Sequence, residues 1–122
     1  PAHQSFPIPA TAHSSNGNTA EVEPFVRQVQ SLMWQHVGVV RDGNSLRQVV
    51  GELSRLQQRA PKPGSRIARE AANILETGLL ISRAALAREE SRGAHYRTDF
   101  PVKNDAKFHK HSVSCGESIR FE

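Results

Sequence analysis

The chain has 122 residues, 16 Lys and Arg against 12 Asp and Glu, 37% hydrophobic residues and a single cysteine. That length and a mean hydropathy of −0.53 allow one domain with a modest core and exclude a large enzyme. No apolar run approaches the length of a signal h-region or a membrane span, so no membrane partner is expected. The net charge of +4 and a pI near 9.8 suit a nucleic-acid binder, but the cations are interleaved with acids rather than gathered on one stripe, so no nucleic-acid partner is expected either. One cysteine, Cys115, cannot form an internal disulfide, and a reducing, cytoplasmic setting follows as the default.

Residues 1–23 carry prolines and a Ser-Ser-Asn-Gly-Asn run without periodicity, and read as a linker or extended arm whose large apolar groups are Phe6, Ile8 and Val22. From Pro24 the pattern turns to a period of 3.6. Pro24 suits a first helical position, and Phe25, Val26, Val29, Leu32, Met33 and His36 give one apolar face to a helix ending near Gly38. Trp34 lies off the centre of that stripe and reads as a core or rim aromatic, and His36 as a packed, hydrogen-bonded histidine.

Turn chemistry at Asp42-Gly43 leads to a second helix, with Ser45 and Gln48 spaced as a capping box and Leu46, Val49, Val50, Leu53 and Leu56 as its stripe through about Arg59. The Pro-Lys-Pro-Gly run at 61–64 stops it, and Ser65 is placed to cap a third. The third helix is expected from about Arg66 to Arg92, with Gly93 as its left-handed C-terminal residue. Ile67, Ala71, Ile74, Gly78, Ile81 and Ala85 form one stripe; Ala68, Leu75, Leu79 and Leu86 form another beside it, a face broad enough for two neighbours. At 1.5 Å per residue it would run roughly 40 Å and overhang the other two, so its end needs cover from the tail, the arm or a partner.

The overall expectation is an all-α, up-and-down three-helix bundle, spectrin-repeat-like, over residues 24–100, with an extended N-terminal arm and a polar tail at 101–122. Chemistry is sparse. His109 and His111 lack a nearby acid or thiolate at ligand spacing, so no metal site is expected, and nothing beside Cys115 marks it as a reactive thiol. Ser91, His95 and Asp99 are spaced for one helical face, but Gly93 breaks that face, so no catalytic triad is expected. No two glycines stand two residues apart, so the dinucleotide fingerprint cannot be written and no cofactor-binding residue is assigned. What stands out is REESRGAHYRTDFP at 88–101, where Glu90, Ser91, Arg92, His95, Arg97 and Asp99 alternate charge densely enough to suggest docking against another surface.

The run ESRGAHYRTDFP at 90–101, with MWQHVGVVRDG at 33–43 and REAANILETGLLISRAALAREESRG at 69–93, resembles the C-terminal helical domain of the succinate dehydrogenase, fumarate reductase and L-aspartate oxidase flavoproteins. The likeness covers roughly residues 24–100, and Met33-Trp34 followed by VGVVR is most similar to the L-aspartate oxidase branch. The resemblance implies a parent oxidoreductase that carries FAD in a separate domain, and a fragment that is catalytically inert by itself. Its partners would be the flavin-binding and capping domains of the same polypeptide, with the six residues between Glu90 and Asp99 at the junction. The longer basic tail of succinate dehydrogenase and fumarate reductase subunits is not matched after Pro101. A free-standing helical interaction module is the alternative from outside the family.

Overall fold

The computed structural model describes residues 19–122. Three helices make the body: α1 (Thr19–His36), α2 (Gly43–Gln57) and α3 (Arg66–Ala87), each packed on the other two. Their shared core is Val22, Phe25, Val29 and Val37 from the first, Leu46, Val49, Leu53 and Leu56 from the second, and Ala68, Ala71, Leu75, Leu79 and Ala85 from the third. Small residues on α3 let α2 approach closely, and each fully buried leucine contributes about 2 kcal/mol of transfer free energy. The all-α bundle expected from periodicity is the observed fold.

Helix boundaries differ in instructive ways. The first helix starts at Thr19, so Pro24 lies inside it and the turn 19–23 is helical rather than part of an arm; residues 1–18 of that arm lie outside the described residues. Proline this near a helix start removes few hydrogen bonds, and the turn ahead of it is held by Val22, 1% exposed in the core. Asp42, not Ser45, is the N-cap of α2: its extended backbone (φ −144°, ψ 158°) lets its carboxylate accept from the Ser45 amide at 2.9 Å. Ser45 Oγ instead meets His36 Nδ1 at 2.6 Å. Ser65 caps α3 as its spacing predicts, accepting from the Ala68 amide at 3.2 Å.

The third helix stops at Ala87, five residues short of the expected Arg92, and Arg88 leaves it with an extended backbone (φ −83°, ψ 94°). At 22 residues it is roughly 33 Å long. Gly93 is left-handed (φ +58°) but does not terminate a helix. It occupies the first position of a two-residue loop closed by Arg92 and His95, whose backbones exchange hydrogen bonds of 2.8 and 3.0 Å.

That loop reverses the chain into β2 (Tyr96–Arg97), which pairs in parallel with β1 (Val40–Arg41) between α1 and α2, in the register Val40–Tyr96 and Arg41–Arg97. The segment after Pro101, aperiodic in sequence, folds as a helical turn α4 (Asp105–Phe108) and an antiparallel hairpin, β3 (Ser112–Cys115) with β4 (Ser118–Phe121). Gly116 (φ +59°) again leads the two-residue loop. Phe108 is buried and meets Phe121 edge to face, centroids 4.8 Å apart, so the hairpin is pinned against the end of α3. The end expected to overhang is therefore covered by the chain's own tail.

Candidate functional site

The charged run at 88–99 is where α3, the start of α2, the β1–β2 pair and α4 converge, and the side chains of Glu90, Ser91 and Arg97 are buried there. Arg97, 1% exposed, is the centre. Its Nη1 donates to the carbonyls of Ala85 and Leu86, both at 3.0 Å, and of Arg88 at 3.4 Å, supplying the last turn of α3 with the donors that a helix end lacks. This is why the helix stops early: its terminal carbonyls are met by a side chain returning from beyond the turn. Nε and Nη2 of the same guanidinium hold both oxygens of Asp99, at 2.8 and 2.7 Å.

Asp99 passes the connection on. Its Oδ2 accepts from the Gly43 amide, the first of α2, at 3.0 Å, so α2 starts between two carboxylates, Asp42 and Asp99. A Cβ on Gly43 would stand 2.7 Å from Asp99 Oδ2 and 3.0 Å from Arg97 Nη2, so only glycine fits beneath the pair. The Arg97 guanidinium holds the Asp99 carboxyl down to about 2, helped by the Gly43 amide against the cost of burial.

Glu90 is fully buried and fully engaged. Oε1 accepts from Arg88 Nη1 and Arg92 Nε, both at 2.8 Å, and Oε2 from Arg92 Nη2 at 3.1 Å and the Asn104 amide at 2.8 Å. Arg92 above all brings its carboxyl down to about 2, against the desolvation that would raise it. Arg92 also binds Asp105. Arg88 reaches the tail through the carbonyls of Phe108 and Lys110, at 2.8 and 2.7 Å, and stacks 5.1 Å from the Phe121 ring.

Ser91 and His95 complete the junction without forming a catalytic pair. The Ser91 hydroxyl accepts from the Arg97 amide at 2.9 Å and donates to the Phe100 carbonyl at 2.8 Å, clamping the returning strand. His95 Nδ1 meets Arg41 Nη1 and Nε2 meets the Arg88 carbonyl, both at 3.0 Å. A guanidinium only donates and a carbonyl only accepts, so the ring is neutral with its proton on Nε2. Burial first, then the charges of Arg41, Arg97 and Arg88, lower its pKa. Among the described residues no base faces Ser91, and Asp99 faces Arg97 rather than His95.

All six residues singled out in the sequence thus meet in one network, and what it does chemically is tie helix ends together. Arg41, Arg88, Gly43 and Asn104 belong to it as well; Arg41 carried ordinary surface charge in the sequence, Arg88 lay in the charged run without being assigned to the junction, and the last two act through backbone amides that no side-chain pattern reveals. Among the described residues no buried polar side-chain atom lacks a partner, and no group of three or more His, Cys, Asp or Glu stands close enough to hold a metal. The described helices include none long and apolar enough to cross a membrane.

The other surface feature is an open apolar groove of about 640 Å³ between α1 and α3, flanked by Trp34 and Ile81 and floored by Met33 and Gly78. Ile74 and Ile81 remain 38% and 44% exposed along it and Trp34 87%, and Ile67, outside the groove on the same stripe, is 46% exposed. Of the two stripes expected on the third helix, one fills the core and the isoleucines of the other face outward.

The sequence profile described as "Fumarate reductase flavoprotein C-term" matches residues 26–121, taking in the bundle, the charged junction and the terminal hairpin. The chain belongs to this family. The match includes the tail, which the resemblance read from the sequence left out. An L-aspartate oxidase of Rhodospirillum rubrum is 33% identical over 117 residues, 95% of this chain and 40% of that protein. A fumarate reductase flavoprotein subunit of Mycobacterium tuberculosis (strain ATCC 25618 / H37Rv) is 37% identical over 101 residues, 74% of this chain and 17% of that protein. An L-aspartate oxidase of Pyrococcus furiosus is 39% identical over 88 residues, 72% of this chain and 16% of that protein. The chain therefore spans less than half the length of these curated relatives, which are flavoprotein oxidoreductases of two named activities.

The described residues of this family domain form no glycine-rich cradle of the kind that seats a flavin nucleotide. Its parallel strand pair among the described residues is two residues per strand, without the glycine-rich turn that cradles a pyrophosphate. The start of α2, where a phosphate would otherwise be welcome, is already occupied by the carboxylates of Asp42 and Asp99.

Proposed function

We propose that this bundle is the C-terminal structural domain of an FAD-dependent L-aspartate oxidase, the enzyme that oxidises L-aspartate to iminoaspartate on the way to quinolinate and NAD. The observation that carries the reading is the likeness to the Rhodospirillum rubrum L-aspartate oxidase, which extends over 95% of the chain. The Met33-Trp34 and VGVVR stretches support it. The flavin-binding and capping domains of the same polypeptide would be its partners, with a cytoplasmic setting suited to the exposed free thiol of Cys115. The junction of Glu90, Ser91, Arg92, His95, Arg97 and Asp99 would serve that docking by fixing the shape of the bundle end, since most of its donors are spent inside the chain. By itself the chain would be inert: its described residues supply no activated nucleophile, and the carboxylates of Glu90 and Asp99 are held ionised.

The fumarate reductase or succinate dehydrogenase flavoprotein is the second reading, favoured by the 37% identity to the Mycobacterium tuberculosis subunit and by a family match that runs through the tail to residue 121. Anaerobic titration of the full-length, flavin-loaded polypeptide separates the two. Bleaching of the flavin band by L-aspartate, with reoxidation by fumarate, is the expected result. Bleaching by succinate and not by aspartate overturns the oxidase reading in favour of the second.

A further inference from the structure

We infer that the groove between α1 and α3 is where the rest of the flavoprotein polypeptide docks; this rests on the reading above that the bundle is one domain of a longer flavoenzyme. Four observations converge on that occupant. Ile67, Ile74 and Ile81 recur at seven-residue spacing and so line one edge of α3, while Trp34 on α1 and Val39 and Val40 beside it are 87%, 78% and 65% exposed. The groove between them has one charged lining residue, Arg41, and that guanidinium is already committed to the Gly38 carbonyl at 2.9 Å and to His95. A partner must therefore bring apolar surface rather than charge.

Size argues for an intrachain neighbour. The exposed parts of Trp34, Ile74 and Ile81 in the groove and of Val39 and Val40, which follow its lining residue Gly38, amount to roughly 600 Å², or roughly 1,200 Å² counting both partners, within the range of domain interfaces inside one chain and below that of obligate homodimers. It also reaches the upper end of what a monomer leaves uncovered. Finally, the matched segment makes up 17% and 16% of the Mycobacterium tuberculosis and Pyrococcus furiosus relatives, so most of such a polypeptide lies outside the bundle and is available to cover it. The charged network does not compete for this role, because Glu90 and Arg97 are 0% and 1% exposed.

Hydroxyl-radical footprinting of Trp34 in the full-length, flavin-loaded polypeptide tests this, with oxidation read by mass spectrometry against free tryptophan. Protection of about tenfold or more, unchanged on dilution, is expected. The double variant Trp34→Glu, Ile81→Glu should open the junction to protease while the flavin absorbance stays. Oxidation at the rate of free tryptophan overturns the inference. So does protection that disappears on dilution together with a dimer in sedimentation, which assigns the groove to a second copy. Equal protection in the monomeric 122-residue chain assigns it to residues 1–18 and overturns it as well. The flavin band reports separately on the parent reading: a full-length polypeptide that binds no flavin overturns the flavoenzyme, whatever the footprint.

Discussion

Arg97 and Asp99, two residues apart, form a two-pronged ion pair whose cation closes the C-terminus of α3 and whose anion opens the N-terminus of α2. Each charge sits at the helix end whose dipole favours it. Replacing Arg97 by Met keeps the bulk and removes the donors, leaving two helix carbonyls without partners and the Asp99 carboxylate with the Gly43 amide alone. The expected loss is ~3–5 kcal/mol in urea unfolding of the 122-residue protein. A loss below ~1 kcal/mol would show that water replaces the guanidinium, and would refute its role as the cap.

The glycine beneath that pair is expected to be intolerant. Gly43→Ala drives a Cβ into Asp99 Oδ2 and Arg97 Nη2 and should cost about 1–3 kcal/mol by displacing the pair. Gly78→Ala is the control: there the Cβ meets Met33 Sδ at 3.2 Å, the far end of a flexible side chain, and the better helix former offsets the crowding. Thermal melting should separate the two. Equal melting temperatures would mean that the pair relaxes freely.

Removal of Arg92 tests the Glu90 cluster. Arg92→Ala leaves the buried carboxylate with Arg88 and the Asn104 amide, and should lower the melting temperature of the chain and flavin retention in the full-length polypeptide. Unchanged melting and unchanged flavin content would count against any part for this junction in holding the domains together.

Acid should dismantle the same cluster only after ordinary carboxylates in the fold have been protonated. The folded-state pKa of Glu90 is down to about 2 from a model-peptide value of 4.5, so its contribution is complete above about pH 4.5 and disappears as pH falls through about 2. In Glu90→Gln that share of the dependence should vanish, making the acid limb shallower at the expense of a lower plateau, while Asp99, also held to about 2, keeps a residual slope. An unaltered acid limb in the variant would place the titrating group elsewhere.

His95 acts in a higher window. Its pKa is lowered in the fold, so protons favour the unfolded chain, and stability should begin to fall as pH drops below about 6.5. His95→Gln keeps a donor for the Arg88 carbonyl and carries no titratable ring. Its stability should be level from pH 7 to 5 where the parent declines. Parallel curves would exclude His95 as the source.

Much of the bundle was legible because burial imposes a period. Leu46, Val49, Leu53 and Leu56 mark α2 unambiguously, and the Pro-Lys-Pro-Gly break with Ser65 behind it locates the start of α3. The end of α3 was hidden because Arg88, Glu89, Glu90, Ser91 and Arg92 are compatible with helix; what stops them is the guanidinium of Arg97, which lies nine to twelve residues beyond the carbonyls it caps. The hairpin was hidden for a different reason. Val113, Ile119 and Phe121, at alternate positions around Gly116-Glu117, carry a period of two, but over strands of four residues that signal is short. The docking role expected for the charged residues was a reading of their density alone. Density cannot distinguish groups that await a partner from groups whose partners, such as the Gly43 amide 56 positions away, sit in the same chain.

The distances along the chain spanned by Arg97 and Asp99 set a folding order. Arg97 reaches Ala85 across 12 residues, a closure the nascent chain can make as soon as the 93–94 loop has turned. Asp99 reaches Gly43 across 56, and that bond forms only after α2 and α3 have packed. One ion pair is thus used twice, first to finish a helix and later to latch it, so substitutions at residue 97 should slow folding more than substitutions at residue 99, which should chiefly hasten unfolding.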